Sequence, residues 1–203
     1  EELRKLMKEI LRPENFMISY TGEKESLETV KKLAASVKAG LCTEPAEKSK
    51  DKLICTKKNE GFKTSGQVQY VAQTGNFKKK GLEYTGALEI LKVILSYDYL
   101  WINLRVKGGA YGCMSGFGTY GDSYLVSYRD PNLGQTNEVF EQTPEYVEQF
   151  DASERDMTKY IIGTISDMDT PRTPAMEGSR GLASWLTQTT LEDIQRYRDE
   201  VLD

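Results

Sequence analysis

Arg105 and Tyr111 stand six positions apart across a glycine corner, Leu104-Arg105-Val106-Lys107-Gly108-Gly109-Ala110-Tyr111-Gly112. An arginine offers a planar fork of donors to a carboxylate or a peptide carbonyl, and a tyrosine hydroxyl can donate to an oxyanion as it forms. A second reading stays open, in which Arg105 caps the carbonyls of the preceding helix and Tyr111 packs. Gly108-Gly109 could in principle cradle a phosphate. No helix N-terminus follows it, so a plain turn is the expectation.

Other residue sets carry weaker signals. Asp156, Asp167 and Asp169 offer carboxylates for a metal or an acid/base pair. Asp167 and Asp169 sit at a helix end beside a proline-rich loop, a position that equally suits solvated acids. Tyr120, Tyr124 and Tyr128 recur every fourth residue and share one face of a hairpin if the register holds. There they either line a peptide-binding surface or merely cover the sheet. Cys42, Cys55 and Cys113 are too widely spaced for a disulfide framework or a CxxC-type zinc site and are expected to be free thiols. The chain contains no histidine. That excludes a Ser-His-Asp triad, a Cys-His pair and an HExxH zinc site within it. No metal ligand is therefore assigned in this sequence.

The chain has 203 residues, 38% hydrophobic and 29% charged, with a net charge of −4. Such a chain can bury a sizeable core, and its charge gives no reason to expect nucleic acid or an anionic membrane as partner. No apolar run approaches the ~20 residues that span a bilayer, and no secretory signal pattern opens the sequence. A bacterial cytoplasm is the expected compartment, with an organellar matrix left open. The sequence starts Glu-Glu-Leu, in mid-pattern for a helix, and is expected to be part of a longer chain.

The corner needs rigid elements around it. From Leu88 to Leu104 apolar residues fall on almost every face, which predicts a buried central helix stopped by the glycines beyond it. Cys113 to Tyr120 and Ser123 to Tyr128 read as two strands joined at Gly121-Asp122. Upstream, residues 1–40 read as helix, strand (Asn15 to Tyr20) and helix, the second helix stopped by Gly40. No dinucleotide or phosphate-loop glycines follow that strand. Residues 42–62 read as a lysine-rich exposed loop, and Gln67 to Ala72 as a half-buried strand. Downstream, helices are expected from Asn132 to Gln149 with a fresh start at Thr143-Pro144, and from Ser153 through Met168. Two more follow, Met176 to Leu186 and one capped by Thr190. The whole, with 66–203 as its main part, is predicted to be one α+β domain, a mostly antiparallel sheet with helices on one face.

The Leu104–Gly112 corner, together with Ser127-Tyr128-Arg129-Asp130-Pro131-Asn132, resembles the C-terminal half of the presequence proteases. These are a branch of the pitrilysin/insulinase family of zinc metallopeptidases. Ile161-Ile162-Gly163-Thr164-Ile165-Ser166-Asp167-Met168-Asp169, with Pro174 and Gly178 after it, is similar to the same branch, as is the opening through Asn15 to Gly22. The resemblance implies a pitrilysin/insulinase-type α-β sandwich of the LuxS/MPP-like kind, one of four homologous domains in two bowl-shaped halves that close around a chamber. It implies that zinc belongs to the N-terminal half, on an inverted His-x-x-Glu-His motif with a further Glu, neither of which this histidine-free chain can supply. It implies that Arg105 binds substrate backbone and that Tyr111 donates a hydrogen bond to the scissile carbonyl from across the chamber. The partners would be a peptide substrate and the catalytic half of the same chain, and this piece alone would not be a peptidase. The rival reading is a catalytically dead assembly or peptide-binding module of the same fold, as in core subunits of respiratory complexes. The Arg105–Tyr111 pair favours the peptidase.

Overall fold

In the computed structural model, residues 1–45 and 56–203 are described. Cys55 and the loop lysines Lys48, Lys50 and Lys52 lie outside the described residues. The element order is α1 (Glu2–Ile10), α2 (Leu27–Ala39), β1 (Gln69–Asn76), α3 (Ala87–Ile94), a π-helix (Leu95–Lys107), β2 (Gly112–Phe117), β3 (Asp122–Asp130), α4 (Leu133–Glu141), α5 (Thr143–Glu148), α6 (Glu154–Met168), α7 (Pro174–Thr187) and α8 (Leu191–Leu202). These residues form two compact units, Glu1–Phe62 with Arg172–Leu186, and Lys63–Pro171 with Thr187–Asp203.

The first unit is helical. α1 ends at Ile10, three residues before Pro13, and a 3₁₀ turn Pro13–Asn15 follows. The strand expected from Asn15 to Tyr20 does not form. Phe16 has extended dihedrals, but no strand among the described residues offers it a hydrogen-bond ladder, and isolated extended backbone is not a strand. Tyr20 instead turns its hydroxyl back to the Glu23 carbonyl at 2.8 Å. α2 stops at Gly40, as its sequence predicts, and none of α1, α2 and α7 carries a fully buried residue.

The second unit holds a three-stranded antiparallel sheet in the order β1-β3-β2. The sheet begins two residues later than Gln67 and runs four residues past Ala72. α3, the π-helix and α4 pack on it, and α6 and α8 pack in turn on α3. This is the α+β arrangement expected.

The central helix departs from expectation in its winding. The α-helical part ends at Ile94, and thirteen residues continue as a π-helix, a form usually confined to a single turn. The wider coil changes which side chains share a face. Leu95, Tyr99, Leu100 and Leu104 face inward, at offsets of zero, four, five and nine. Tyr97, Trp101, Ile102 and Val106 repeat the same offsets two residues on, and all four are exposed. So the helix that reads as apolar all round buries one stripe and shows another. Leu95, Tyr99, Leu100 and Leu104 join Val71, Ala110, Val139 and Phe140 as the core. The one hydroxyl taken into that cluster, on Tyr99, is satisfied by the Val139 carbonyl at 2.6 Å.

Candidate functional site

The π-helix terminates without help from a charged side chain. Gly109 lies in the left-handed region at φ 78°, open to glycine without a Cβ penalty. Its N–H returns to the Arg105 carbonyl at 3.1 Å, and Ala110 N–H returns to the Leu104 carbonyl at 2.9 Å. A Cβ on Gly108 would stand 2.6 Å from the Leu104 oxygen. Backbone amides thus fill the capping role that Arg105 could have taken. Arg105 reaches forward instead, and its Nη1 donates to the carbonyl oxygen of Tyr111. Its guanidinium lies 4.6 Å from the Trp101 ring centroid and 5.6 Å from that of Tyr111.

Tyr111 does not pack into the core; it is 62% exposed. Its backbone N–H is shared between the carbonyls of Tyr128 (3.1 Å) and Arg129 (3.3 Å). Its ring meets Tyr128 edge-on at 5.6 Å, and Tyr128 meets Tyr70 edge-on at 5.3 Å. The Arg129 guanidinium also stands 5.6 Å from the Tyr111 ring. The Tyr111 hydroxyl has no hydrogen-bond partner among the described residues. Gly108-Gly109 is a turn with no helix N-terminus beyond it, as expected.

Arg129 is the residue that sequence reasoning did not place in the site. β3 alternates inward and outward, with Leu125 and Ser127 facing the core, so Arg129 should face it too. It does not. Between the paired positions Gln69↔Asp130 and Val71↔Ser127, β1 advances by two residues and β3 by three, a β-bulge. Arg129 takes φ 49°, uncommon for a residue with a Cβ. The extra residue flips the parity, so Asp130 is buried at 1% exposure and Arg129 is turned outward. Asp130 accepts from Asn132 N–H at 2.8 Å and from the Thr136 hydroxyl at 2.5 Å. Asn132 Nδ2 donates to the Gly108 carbonyl at 2.5 Å. The Ser127–Asn132 stretch and the glycine corner are thereby clasped together. Trp101 and Tyr70 were also missed, because their exposure depends on the π-winding and on the open sheet face.

The other sequence candidates are not brought together. Tyr124 and Tyr128 share the outer face of β3, with Tyr124 lying over Gly116 where a Cβ would collide with its ring, but Tyr120 belongs to the turn before the strand. Asp156 lies in the first turn of α6 and is held below the usual carboxylate range by hydrogen bonds from Lys159 and Ser153. Asp167 and Asp169 lie at the other end of that fifteen-residue helix, roughly 20 Å away at the usual rise. Asp169 is paired with Arg198 at 2.7 Å. Among the described residues no group of three or more His, Cys, Asp or Glu could hold a metal ion. The residues present do not fit zinc, and no step below is routed through it. Cys42 and Cys113 are free thiols. Burial pushes the Cys113 thiol up to about 11, which suppresses its reactive thiolate at neutral pH.

Residues 59–203 match the model for the PreP C-terminal domain, and the chain belongs to that family, the C-terminal domain of presequence-protease-like peptidases. The chain is 42% identical over its full 203 residues to Protein HypA of Clostridium perfringens, covering 21% of that protein. It is 37% identical over 147 residues, 71% of this chain and 14% of the relative, to presequence protease 1 (chloroplastic/mitochondrial) of Arabidopsis thaliana. It is 36% identical over 117 residues, 57% of this chain and 11% of the relative, to the mitochondrial presequence protease of Aspergillus oryzae. The chain therefore spans about a fifth or less of these relatives. No helix among the described residues is long and apolar enough to cross a membrane.

Proposed function

We propose that this chain is the substrate-facing C-terminal part of a zinc metalloendopeptidase that degrades unfolded or short peptides in an enclosed chamber. Zinc, in this reading, is held by the N-terminal half, and the nucleophile comes from there. Arg105 holds substrate backbone, and Tyr111 donates its hydroxyl hydrogen to the scissile carbonyl as that oxygen becomes a tetrahedral oxyanion. The observation that carries the reading is the Tyr111 side chain itself. Its backbone is bonded at both N–H and carbonyl and its ring is flanked by Arg105, Arg129 and Tyr128, while its hydroxyl has no partner among the described residues. A donor held still and left unspent costs little reorganisation when charge develops beside it. In this reading the compartment is a bacterial cytoplasm, with an organellar matrix as the alternative; the full-length identity to a Clostridium protein supports a bacterial setting and leaves the compartment to be measured.

The test is Tyr111→Phe in the full-length protein with a fluorogenic peptide. Turnover should fall by ~10²-fold with peptide affinity little changed. Unchanged turnover would overturn the oxyanion role and favour a module that closes the chamber or serves assembly.

A further inference from the structure

We propose that Arg129 and Arg105 together form a carboxylate-recognition site around Tyr111. The peptide held at this corner would then be one that presents a carboxylate there, its own C-terminus or an Asp or Glu side chain. The proposal rests on the reading of the corner as a peptide-binding site and names the chemistry of what it selects.

Three independent features support it. The first is the bulge. A regular β3 would bury Arg129, and the inserted residue, at φ 49°, turns it to the face that carries Tyr70, Tyr111 and Tyr128. Bulges commonly re-aim a side chain beside an active site, and a strained backbone persists only where its surroundings hold it. Here the holding group is Asp130, buried and bonded to Asn132 and Thr136. The second is convergence: both guanidinium groups stand 5.6 Å from the centroid of one ring. The third is the missing counter-charge. No carboxylate among the described residues pairs with Arg105 or Arg129. Asp130, next in sequence, has both oxygens engaged and is buried. Two cations held against one ring raise the positive potential beside it, and an anion there is attracted by both while accepting N–H donors. Arg105 commits one donor to the Tyr111 carbonyl, leaving the rest of its five for a ligand.

The experiment uses the full-length protein with a chelator present to stop turnover, and labelled peptides read by fluorescence anisotropy at low salt. One pair of peptides lacks acidic side chains and differs only in a free or amidated C-terminus. The second pair is amidated and differs only in one internal Glu or Gln. Wild type should prefer the carboxylate member of at least one pair by about tenfold; which pair shows it tells terminus from side chain. Arg129→Asn should abolish that preference, bringing the two members of the pair to equal affinity. Asn tolerates the left-handed backbone, so the variant should keep its fold, which a melting curve checks. Arg129→Lys should retain part of the preference, since charge survives and the fork does not. Equal binding within both pairs by wild type would overturn the proposal, as would a preference that survives Arg129→Asn. Neither result touches the turnover test of Tyr111→Phe, so failure of the anion site and failure of the oxyanion role are read separately.

Discussion

The two compact units are made of similar residues used differently. α1 in the first unit carries Leu3, Leu6, Met7 and Ile10, all of them about half exposed or more, while the π-helix in the second carries Leu95, Leu100 and Leu104 at 1% exposure or less. Both segments are rich in apolar residues by sequence. What separates them is a sheet. In the second unit the three strands set Val71, Cys113, Phe117 and Leu125 against the helix stripe, and the stripe disappears from water. Among the described residues of the first unit no strand forms, and the helices keep their apolar sides open. Apolar content alone does not make a core; a complementary surface does.

That contrast can be broken by mutation. The largest effect expected is on stability in the second unit. Leu100→Ala should cost about 3–4 kcal/mol, by lost burial and a residual cavity, whereas Leu6→Ala in α1 should cost no more than about 0.5 kcal/mol. Chemical denaturation of both variants checks this, and comparable losses would refute the contrast. Next comes Tyr111→Phe, which should leave the denaturation midpoint unmoved while reducing turnover of the full-length protein ~10²-fold. A matching loss of stability would mean the ring is structural.

A smaller effect is expected at the start of α8. Thr190 accepts from Asp193 N–H at 3.0 Å, and Thr190 N–H donates to Asp193 Oδ2 at 3.0 Å, a complete capping box. Thr190→Ala should cost about 1 kcal/mol near neutral pH. The hydrogen bonds from Thr190 hold the Asp193 carboxyl below its ordinary value of 3.8. Its folded value is therefore lower than its unfolded one, so its contribution is present above the unfolded value and is lost as pH falls through the folded one. The gap in melting temperature between wild type and Thr190→Ala should be constant from pH 7 to about 5 and narrow below 3.8. A gap that widens on acidification would contradict the assignment. The least disruptive probe is chemical. Cys113, half-buried and with its thiol pushed up to about 11, should alkylate far more slowly than Cys42 at pH 7.5 and gain rate as the pH is raised. Peptide mapping by mass spectrometry reads the two sites separately.

The sequence was most legible where one local rule governs the chain. Gly40 stops α2, Ser153 and Thr190 cap α6 and α8, and Gly121 turns the hairpin at φ 89°. The corner was legible too, because glycines beside an Arg and a Tyr after an apolar helix constrain the backbone whatever lies around them. Three things were not. The Asn15–Tyr20 segment has strand-like residues, and only the absence of a pairing partner denies it a strand. The π-winding leaves no residue-type signature, so Trp101 and Ile102 read as core when they are exposed. Arg129 was hidden by parity: alternation along β3 assigns it inward, and the inserted residue that reverses it is a property of the pairing with β1.

The π-helix has a consequence for how this segment tolerates change in length. Each turn of it holds roughly one residue more than the α-helix would need, so it stores slack in the chain. Removing one residue between Leu95 and Leu104 would let a turn relax to α-winding, and the tighter winding takes up the missing residue, so that everything beyond the cut keeps nearly its direction. Arg105 and the glycine corner would then stay in register with β3. The same deletion after Gly118, in the hairpin turn, would leave the corner where it is. A single gap in this helix is therefore a change that the site can absorb, and the number of residues from Leu95 to Arg105 can differ by one in related chains that keep it.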